Sequence, residues 1–231
     1  MQKPKVTFSQ KIDRICGGWS RSNSFWDVMQ VLACMVSEGL RAEELKKWKA
    51  NIDPSTYSDF EDLLESLKEE VTQRPFRDIL GPVYMEIGSK WSQKAGGEFY
   101  TPQEIADLTA YMMFGTPRTE PTTLLEPCCG AGAMILAAGG IYGAGSHLLR
   151  VTACDLNRVA CEMCYIQTTL NKIPTLVTHM NTITLEEFGC WPNPHWEKAS
   201  VLAPKVDLEK GTMPAPIRKM IQATLGLEEV A

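Results

Sequence analysis

Residues 124–133, Leu-Leu-Glu-Pro-Cys-Cys-Gly-Ala-Gly-Ala, constrain the fold more than any other part of the chain. An apolar run ends at Glu126, two small thiols follow Pro127, and Gly130 and Gly132 precede an apolar periodic segment. This order predicts a strand, a glycine turn and a helix. Such a turn lets a ligand approach the backbone where a side chain would otherwise block it. The Glu126 carboxylate at the strand end can accept two ribose hydroxyls or a ligand amine.

A second feature lies upstream, where residues 96–102 are Gly-Gly-Glu-Phe-Tyr-Thr-Pro. The glycines interrupt a helical region, and a new helix is predicted from Pro102. Thr101 is its expected N-cap, and Glu104 completes a cap-like pattern. Taken alone, this element is also typical of an ordinary capped helix.

Two further strands are predicted downstream of the glycine turn. Residues 149–154 are followed by Asp155, and residues 174–179 lead to Asn181. An acidic residue about twenty to thirty positions past a glycine turn, at the tip of the next strand, is typical of the ribose or adenosine anchor of a nucleotide site. Because the carboxyl ends of parallel strands share one edge of a sheet, Glu126, Asp155 and Asn181 are expected at one ligand-binding edge.

Together, Gly-Glu-Phe-Tyr-Thr-Pro, Glu-Pro-Cys-Cys-Gly-Ala-Gly-Ala and Cys-Asp-Leu-Asn resemble the modification subunit of type I restriction systems and related N6-adenine DNA methyltransferases. The resemblance covers about residues 96–184 and implies a Rossmann-like α/β sheet that binds S-adenosylmethionine. It implies that residues 99–102 border the methionine and adenosine moieties, that residues 126–132 hold the methionine end, and that Asp155 holds the ribose while Leu156 packs on adenine. The predicted cofactor-binding residues are Phe99, Tyr100, Thr101, Pro102, Glu126, Pro127, Cys128, Gly130, Gly132, Asp155, Leu156 and Asn181.

The resemblance also implies a catalytic element, Asn or Asp followed by two prolines and an aromatic residue, at the tip of a fourth strand. The candidate is Asn193-Pro194-His195-Trp196, in which His195 replaces the second proline. In this interpretation Asn193 and the Pro194 carbonyl accept the two hydrogens of the adenine amine, and Trp196 stacks on the flipped base. Residues 186–192 make a poor buried strand, so a surface turn at Asn193-Pro194 stays open as the alternative.

Composition narrows the class of protein. The 231 residues are 44% hydrophobic, no apolar run reaches the ~20 residues of a membrane helix, and no secretory signal is apparent, so a cytoplasmic protein is expected. The eight cysteines are expected to be free thiols, with Cys161 and Cys164 packing in the core rather than binding metal. The formal charge of −5 does not by itself indicate a nucleic-acid binder.

Residues 1–95 are predicted to form an all-helical domain, residues 96–185 the α/β cofactor-binding core, and residues 186–231 an irregular segment with a short helix. Only three strands are predicted, against seven in a complete methyltransferase sheet, so a truncated sheet is one interpretation. Two functions stay open. The first is an adenine-specific DNA methyltransferase whose sequence recognition comes from a partner chain. The second is a methyltransferase-like binding protein that has lost the chemistry and serves as a regulatory or decoy subunit.

Overall fold

The structure is a computed structural model that describes residues 7–18, 24–91, 100–115, 118–199, 205–207 and 210–226. These ranges contain helices and strands in the order expected of an α/β protein with a helical N-terminal part. The helices are α1 (Phe8–Gly18), α2 (Ser24–Val36), α3 (Ala42–Lys49), α4 (Pro54–Gln73), α5 (Leu80–Trp91), α6 (Gln103–Phe114), α7 (Ala133–Tyr142), α8 (Arg158–Leu170) and α9 (Ala215–Leu225). The strands are β1 (Thr122–Glu126), β2 (Leu149–Asp155), β3 (Thr175–Asn181) and β4 (Glu186–Pro192).

The four strands form one sheet in the order β1-β2-β3-β4. Strands β1, β2 and β3 are parallel, because α7 and α8 return the chain to the same starting edge each time. Glu126 pairs with Ala153, and Asp155 pairs with His179, so the carboxyl ends of the three strands lie at one edge. This arrangement confirms the predicted α/β class and the three strands predicted from the sequence.

Strand β4 corrects the expectation of an irregular segment after residue 185. Residues 182–185 turn the chain back, and β4 pairs antiparallel with β3, with Asn181 opposite Glu186 and Leu176 opposite Pro192. Cys190 and Pro192, in the second half of β4, are buried, whereas Phe188 lies at a break in the pairing register between His179 and Met180 and is half exposed. Such a strand shows no continuous apolar run, and for that reason the pattern did not predict it.

One helix start differs from the sequence pattern, and one proline lies in the first turn of its helix. Helix α6 begins at Gln103 with Pro102 as its N-cap and without a side-chain cap, so the assignment of Thr101 as N-cap was wrong by one residue. Helix α5 begins at Leu80, and Pro82 lies in its first turn. Backbone N–H groups in the first turn have no acceptor within the helix, so a proline there breaks no helical hydrogen bond. Pro82 therefore fits the first turn of α5.

The apolar core extends from the N-terminal helices into the sheet. Helix α8 packs on β2 and β3 with one side and on α2 with another. A single buried cluster includes residues such as Leu32 of α2, Leu67 of α4 and Val151 of β2. A second cluster, which contains Leu176 and Ile221, lies between the sheet and α9. The division of the chain into three domains stays a prediction.

A buried ion pair accompanies this packing. Arg41, at the start of α3, donates to Glu162 of α8, and both side chains are almost fully buried. The Arg41 guanidinium also lies 5.2 Å from the centre of the Trp191 ring. Within the described ranges, none of the helices is both long and apolar enough to cross a membrane.

Candidate cofactor-binding site

A cavity of about 520 Å³ opens at the carboxyl edge of the parallel strands, within the size range of small-molecule sites. Its wall combines the loop after β1, the start of α7, the end of β2 and the start of α8. The lining residues are Tyr100, Thr101, Cys128, Cys129, Gly130, Ala131, Ala133, Met134, Asp155, Leu156, Asn157 and Ala160.

The loop after β1 has a backbone shape that requires glycine at two positions. Gly130 has φ +51° and Gly132 has φ +98°, both in the left-handed region. A Cβ atom at Gly130 would lie 3.3 Å from the Tyr100 ring, and one at Gly132 would lie 3.3 Å from Cys164 Sγ. The backbone N–H of Cys129 donates to the carbonyl of Cys154 at 2.8 Å, which ties this loop to β2. The loop therefore follows a fixed path between the two strands.

Asp155 connects the end of β2 to the glycine loop. Its Oδ2 accepts from the N–H of Gly130 at 2.9 Å, and its Oδ1 accepts from the N–H of Asn157 at 2.8 Å. Asn157 in turn caps α8, because its side chain accepts from the N–H of Val159. The Asp155 carboxylate is thus held in one orientation at the cavity wall.

Glu126 lies beside this carboxylate at the end of β1. Its Oε1 accepts from the N–H of Cys128 at 3.2 Å. Burial raises the pKa of Glu126, and the charge of Asp155 adds to that rise. Burial and the same two carboxylates also raise the pKa of the exposed Cys128 thiol. This end of the cavity consequently carries negative charge and favours a cationic ligand group.

Tyr100 is the aromatic residue of the cavity wall, and its ring rests on the N-terminal helices. Tyr100 contacts Tyr84 of α5 edge-to-face, with ring centres 5.4 Å apart, and Tyr84 contacts Phe25 of α2 at 5.3 Å. Thr101 also lines the cavity. Phe99, which the sequence pattern predicts in the same wall, lies outside the described residues.

Leu156 supplies an exposed apolar surface at the mouth of the cavity. Its side chain is 60% exposed. A ring nitrogen of His179, Nε2, lies 3.0 Å from the Leu156 carbonyl oxygen, and the His179 ring packs against Phe188 with centres 4.9 Å apart. Leu156 is thereby presented toward solvent beside Asp155.

The structure brings together half of the predicted cofactor residues in the cavity wall. Tyr100, Thr101, Cys128, Gly130, Asp155 and Leu156 line it. Pro102, Glu126, Pro127 and Gly132 flank the lining residues in the chain, and Asn181 points elsewhere, since its Oδ1 accepts from the N–H groups of Ile183 and Thr184. Two further lining residues, Cys129 and Ala131, lie inside the range 126–132 that the resemblance assigns to the methionine end, whereas Ala133, Met134, Asn157 and Ala160 were missed.

Apart from Asn157, the missed residues have no polar side chain that would indicate a ligand-binding role. Their positions carried a usable signal. Ala133 and Met134 begin the helix after a glycine turn, and the first turn of such a helix faces the ligand. Ala160 lies in the first turn of α8, just beyond Asn157, and so reaches the same cavity.

Asn193 does not lie at the carboxyl edge, which contradicts its predicted placement. Because β4 runs antiparallel, the N–H of Asn193 donates to the carbonyl of Thr175 at the start of β3. Thr175 lies four residues before His179, the partner of Asp155, which is about 13 Å along the strand. The Asn193-Pro194 element is therefore at the opposite edge of the sheet from the cavity.

The side chains of this element have structural roles. Asn193 is 1% exposed; its Oδ1 accepts from the N–H groups of Thr175 and His195, and its Nδ2 donates to the Ile173 carbonyl. Trp196 is likewise 1% exposed and belongs to the core cluster below α9. A buried ring cannot stack on a flipped base, so this geometry contradicts the catalytic roles expected for Asn193, Pro194 and Trp196.

Comparison with known proteins identifies the class to which this site belongs. A family model described as N-6 DNA Methylase matches residues 76–201, which is more than half of the chain. The chain belongs to the N-6 DNA methylase family. The matched range contains the glycine loop, Asp155 and all the cavity-lining residues.

Two individual proteins are similar to this chain. The type I restriction enzyme MpnII methylase subunit of Mycoplasma pneumoniae is 26% identical over 166 residues, which cover 69% of this chain and 27% of that protein. The crystal structure of a type I restriction-modification system methyltransferase subunit from Streptococcus thermophilus aligns with 20% identity and a TM-score of 0.40, over 79% of this chain and 41% of the other. The chain thus spans about a quarter of the length of the Mycoplasma relative.

Proposed function

We propose that this N-6 DNA methylase binds S-adenosylmethionine in the cavity at the carboxyl edge and takes part in methylation of the adenine amine in DNA. The observation that carries the proposal is the contact between the Asp155 carboxylate and the N–H of Gly130. This hydrogen bond places an acidic strand tip and a glycine turn side by side at one cavity. These are the two elements that a nucleoside ligand needs.

The shape and chemistry of the cavity fit this cofactor. A Cβ atom at Gly130 would fill the space in front of Tyr100, so the turn is kept open where a ligand would lie against the backbone. A carboxylate accepts about four hydrogen bonds, and each oxygen of Asp155 receives one from the protein, which leaves capacity for the two ribose hydroxyls. Leu156 and Ala160 provide apolar contacts for an adenine ring.

The other end of the cavity fits an amino acid moiety. Glu126 and Asp155 favour the ammonium and sulfonium charges of S-adenosylmethionine. Helix α7 begins at Ala133 without a side-chain cap, and the N–H groups at a helix start favour a carboxylate. When bound, the cofactor supplies the methyl group. The protein residues bind it and fix its orientation.

The acceptors for the adenine amine are not provided by Asn193, which lies at the opposite edge of the sheet. This observation favours a second candidate function, a cofactor-binding subunit whose chemistry requires another chain. In that case a partner would supply the groups that hold the flipped adenine, as well as sequence recognition. Both candidates require the same cofactor site and differ only in what the isolated chain does with DNA.

Two measurements test the proposal. Calorimetry with S-adenosylhomocysteine, using the wild type and Asp155→Ala, tests the cofactor site. Incubation with radiolabelled S-adenosylmethionine and unmethylated DNA, followed by nucleoside analysis, tests transfer to adenine. Binding together with label on adenine supports the methyltransferase, whereas binding without label favours the subunit that needs a partner.

The partner requirement has its own test. The same assay is repeated with the protein purified from its native host under conditions that retain associated chains. Label on adenine in that preparation alone supports the second candidate. Wild-type protein that binds neither S-adenosylmethionine nor S-adenosylhomocysteine contradicts both candidates.

A further inference from the structure

The side chain of Gln167, in α8, is completely buried and makes four hydrogen bonds to two separate parts of the chain, residues 78–80 and Ala131. Its Nε2 donates to the Ala131 carbonyl and to Asp78 Oδ1, both at 2.8 Å. Its Oε1 accepts from the N–H groups of Ile79 at 2.7 Å and Leu80 at 3.2 Å. Both N–H donors and both acceptor positions of the amide are therefore in use.

One of these contacts fixes the back of the glycine loop. Ala131 lies between Gly130 and Gly132, whose left-handed backbone has no side chains of its own to pack. Asp155 holds the loop at the N–H of Gly130, on the cavity side. Gln167 holds it at the next residue through the carbonyl of Ala131.

The remaining contacts of Gln167 join this loop to the start of α5. Asp78 accepts from Gln167 and also from the N–H of Gly81 in the first turn of α5. The N–H of Asp78 donates to the side chain of Gln103, at the start of α6. The segment just before α5 therefore connects the glycine loop with the helices that support Tyr100.

We propose that Gln167 is a positioning residue for the cofactor: it holds the glycine loop in its binding shape and couples that shape to the start of α5. The cofactor role of the loop rests on the proposed function, whereas the restraint on the loop does not. Without a donor for the Ala131 carbonyl, the loop samples other conformations and the cofactor has to select the correct one.

The test uses two variants that separate the loop contact from the α5 contact. Gln167→Glu keeps the acceptor for Ile79 and Leu80 but removes both N–H donors and places a second carboxylate beside Asp78. In Asp78→Asn combined with Gln167→Glu, the Asn amide can donate to Glu, so the link to α5 is restored while the Ala131 carbonyl still has no donor. The double variant also removes the clash of two buried carboxylates, so it tests the loop if the single variant does not fold.

Asn171→Ala serves as the matched control. Asn171 is a buried amide one turn further along the chain from Gln167, and its Oδ1 accepts from the N–H of Phe76 at 2.7 Å. It therefore contacts the chain segment before α5 but not the glycine loop. Its loss should lower the thermal midpoint without changing the loop.

Amide hydrogen exchange of residues 128–132 is measured on the unliganded proteins, and affinity for S-adenosylhomocysteine is measured by calorimetry. We expect loop exchange to rise and affinity to fall by about tenfold or more in both Gln167 variants, with the thermal midpoint recovered only in the double variant. Asn171→Ala should keep wild-type loop exchange and affinity.

Three results would overturn the inference: wild-type loop exchange in Gln167→Glu, full recovery of loop exchange in the double variant, or equally fast loop exchange in Asn171→Ala. A wild-type protein that fails to bind S-adenosylhomocysteine contradicts the proposed function instead. The exchange data on the unliganded proteins would still decide whether Gln167 restrains the loop.

Discussion

Asp155 Oδ2 accepts a hydrogen bond of 2.9 Å from the backbone N–H of Gly130, 25 residues earlier in the chain. The acidic tip of β2 and the glycine loop after β1 are thus parts of one structure before any ligand arrives. A carboxylate fixed in this way loses little conformational freedom on binding, which favours affinity.

Replacement of Asp155 by alanine should weaken S-adenosylhomocysteine binding by about tenfold or more, because a hydrogen bond to a charged acceptor is worth about 1.5–3 kcal/mol. Calorimetry measures this loss. Asn181→Ala is the control at the tip of the neighbouring strand, since the Asn181 side chain accepts hydrogen bonds from the N–H groups of the turn that follows it. Equal losses in the two variants, or none in Asp155→Ala, would remove Asp155 from the site.

Gly130→Ala should abolish or strongly reduce binding, because the new methyl group would lie 3.3 Å from the Tyr100 ring in a backbone region that disfavours side chains. Gly143→Ala is the matched control: Gly143 has a similar φ of +53° but open space around the added Cβ. Circular dichroism should show retained helix in both variants. Undiminished binding by Gly130→Ala would place the ligand elsewhere.

Affinity for S-adenosylmethionine should rise with pH through the raised pKa of Glu126. Burial, then the charge of Asp155, raises this pKa, so the folded unliganded protein retains a proton that the unfolded chain releases. Stability of the free protein therefore falls as pH increases from the ordinary glutamate pKa to the raised value. The cationic ligand favours the ionised carboxylate and gains affinity over the same interval. Calorimetry across pH should show a flatter profile for Glu126→Gln.

Cys128 should report on cavity occupancy by alkylation. Its thiol is exposed, whereas the other seven cysteines are buried and serve as internal controls. Burial and the charges of Asp155 and Glu126 raise the pKa of Cys128, so iodoacetamide should react slowly at neutral pH and faster as pH rises. S-adenosylhomocysteine should slow the reaction, as followed by mass spectrometry. An unprotected Cys128 at saturating ligand would argue against binding in this cavity.

Asn193→Ala should lower stability and spare cofactor binding. The change leaves the N–H groups of Thr175 and His195 and the carbonyl of Ile173 without their side-chain partner, at a cost of about 1–3 kcal/mol for a buried group. Urea denaturation measures the loss, and calorimetry should show unchanged affinity. A fully stable variant that loses only methyl transfer would restore the catalytic interpretation.

The position of the cavity could be predicted because the elements that form it lie close together in the chain. Strand, glycine turn and helix follow one another within residues 122–142, and Asp155 ends the next strand. Each of these elements has a pattern that parallel topology then brings to the same edge. Gly130 and Asp155 were therefore assigned to one cavity from sequence alone.

The placement of Asn193 could not be predicted in the same way. Whether a residue after a fourth strand lies at the cavity depends on the direction of that strand, and the turn at residues 182–185 decides it. Gln167 was missed for a different reason. It is a polar residue inside a largely buried helix, and its partners Asp78 and Ala131 are 89 and 36 residues away, beyond the reach of any local pattern.

The two-sided packing of α8 has a consequence for how such a chain changes over generations. Helix α8 packs on the strands with one side and on α2 with the other, and its Glu162 is paired with Arg41. An inherited change at Glu162 would remove one of the two carboxylates, Glu162 and Glu44, that pair with the buried Arg41 guanidinium, and the lost stability would favour a compensating change at Arg41. Recombination that exchanged the helices at the beginning of the chain without α8 would separate these partners. Arg41 and Glu162 should accordingly be inherited together.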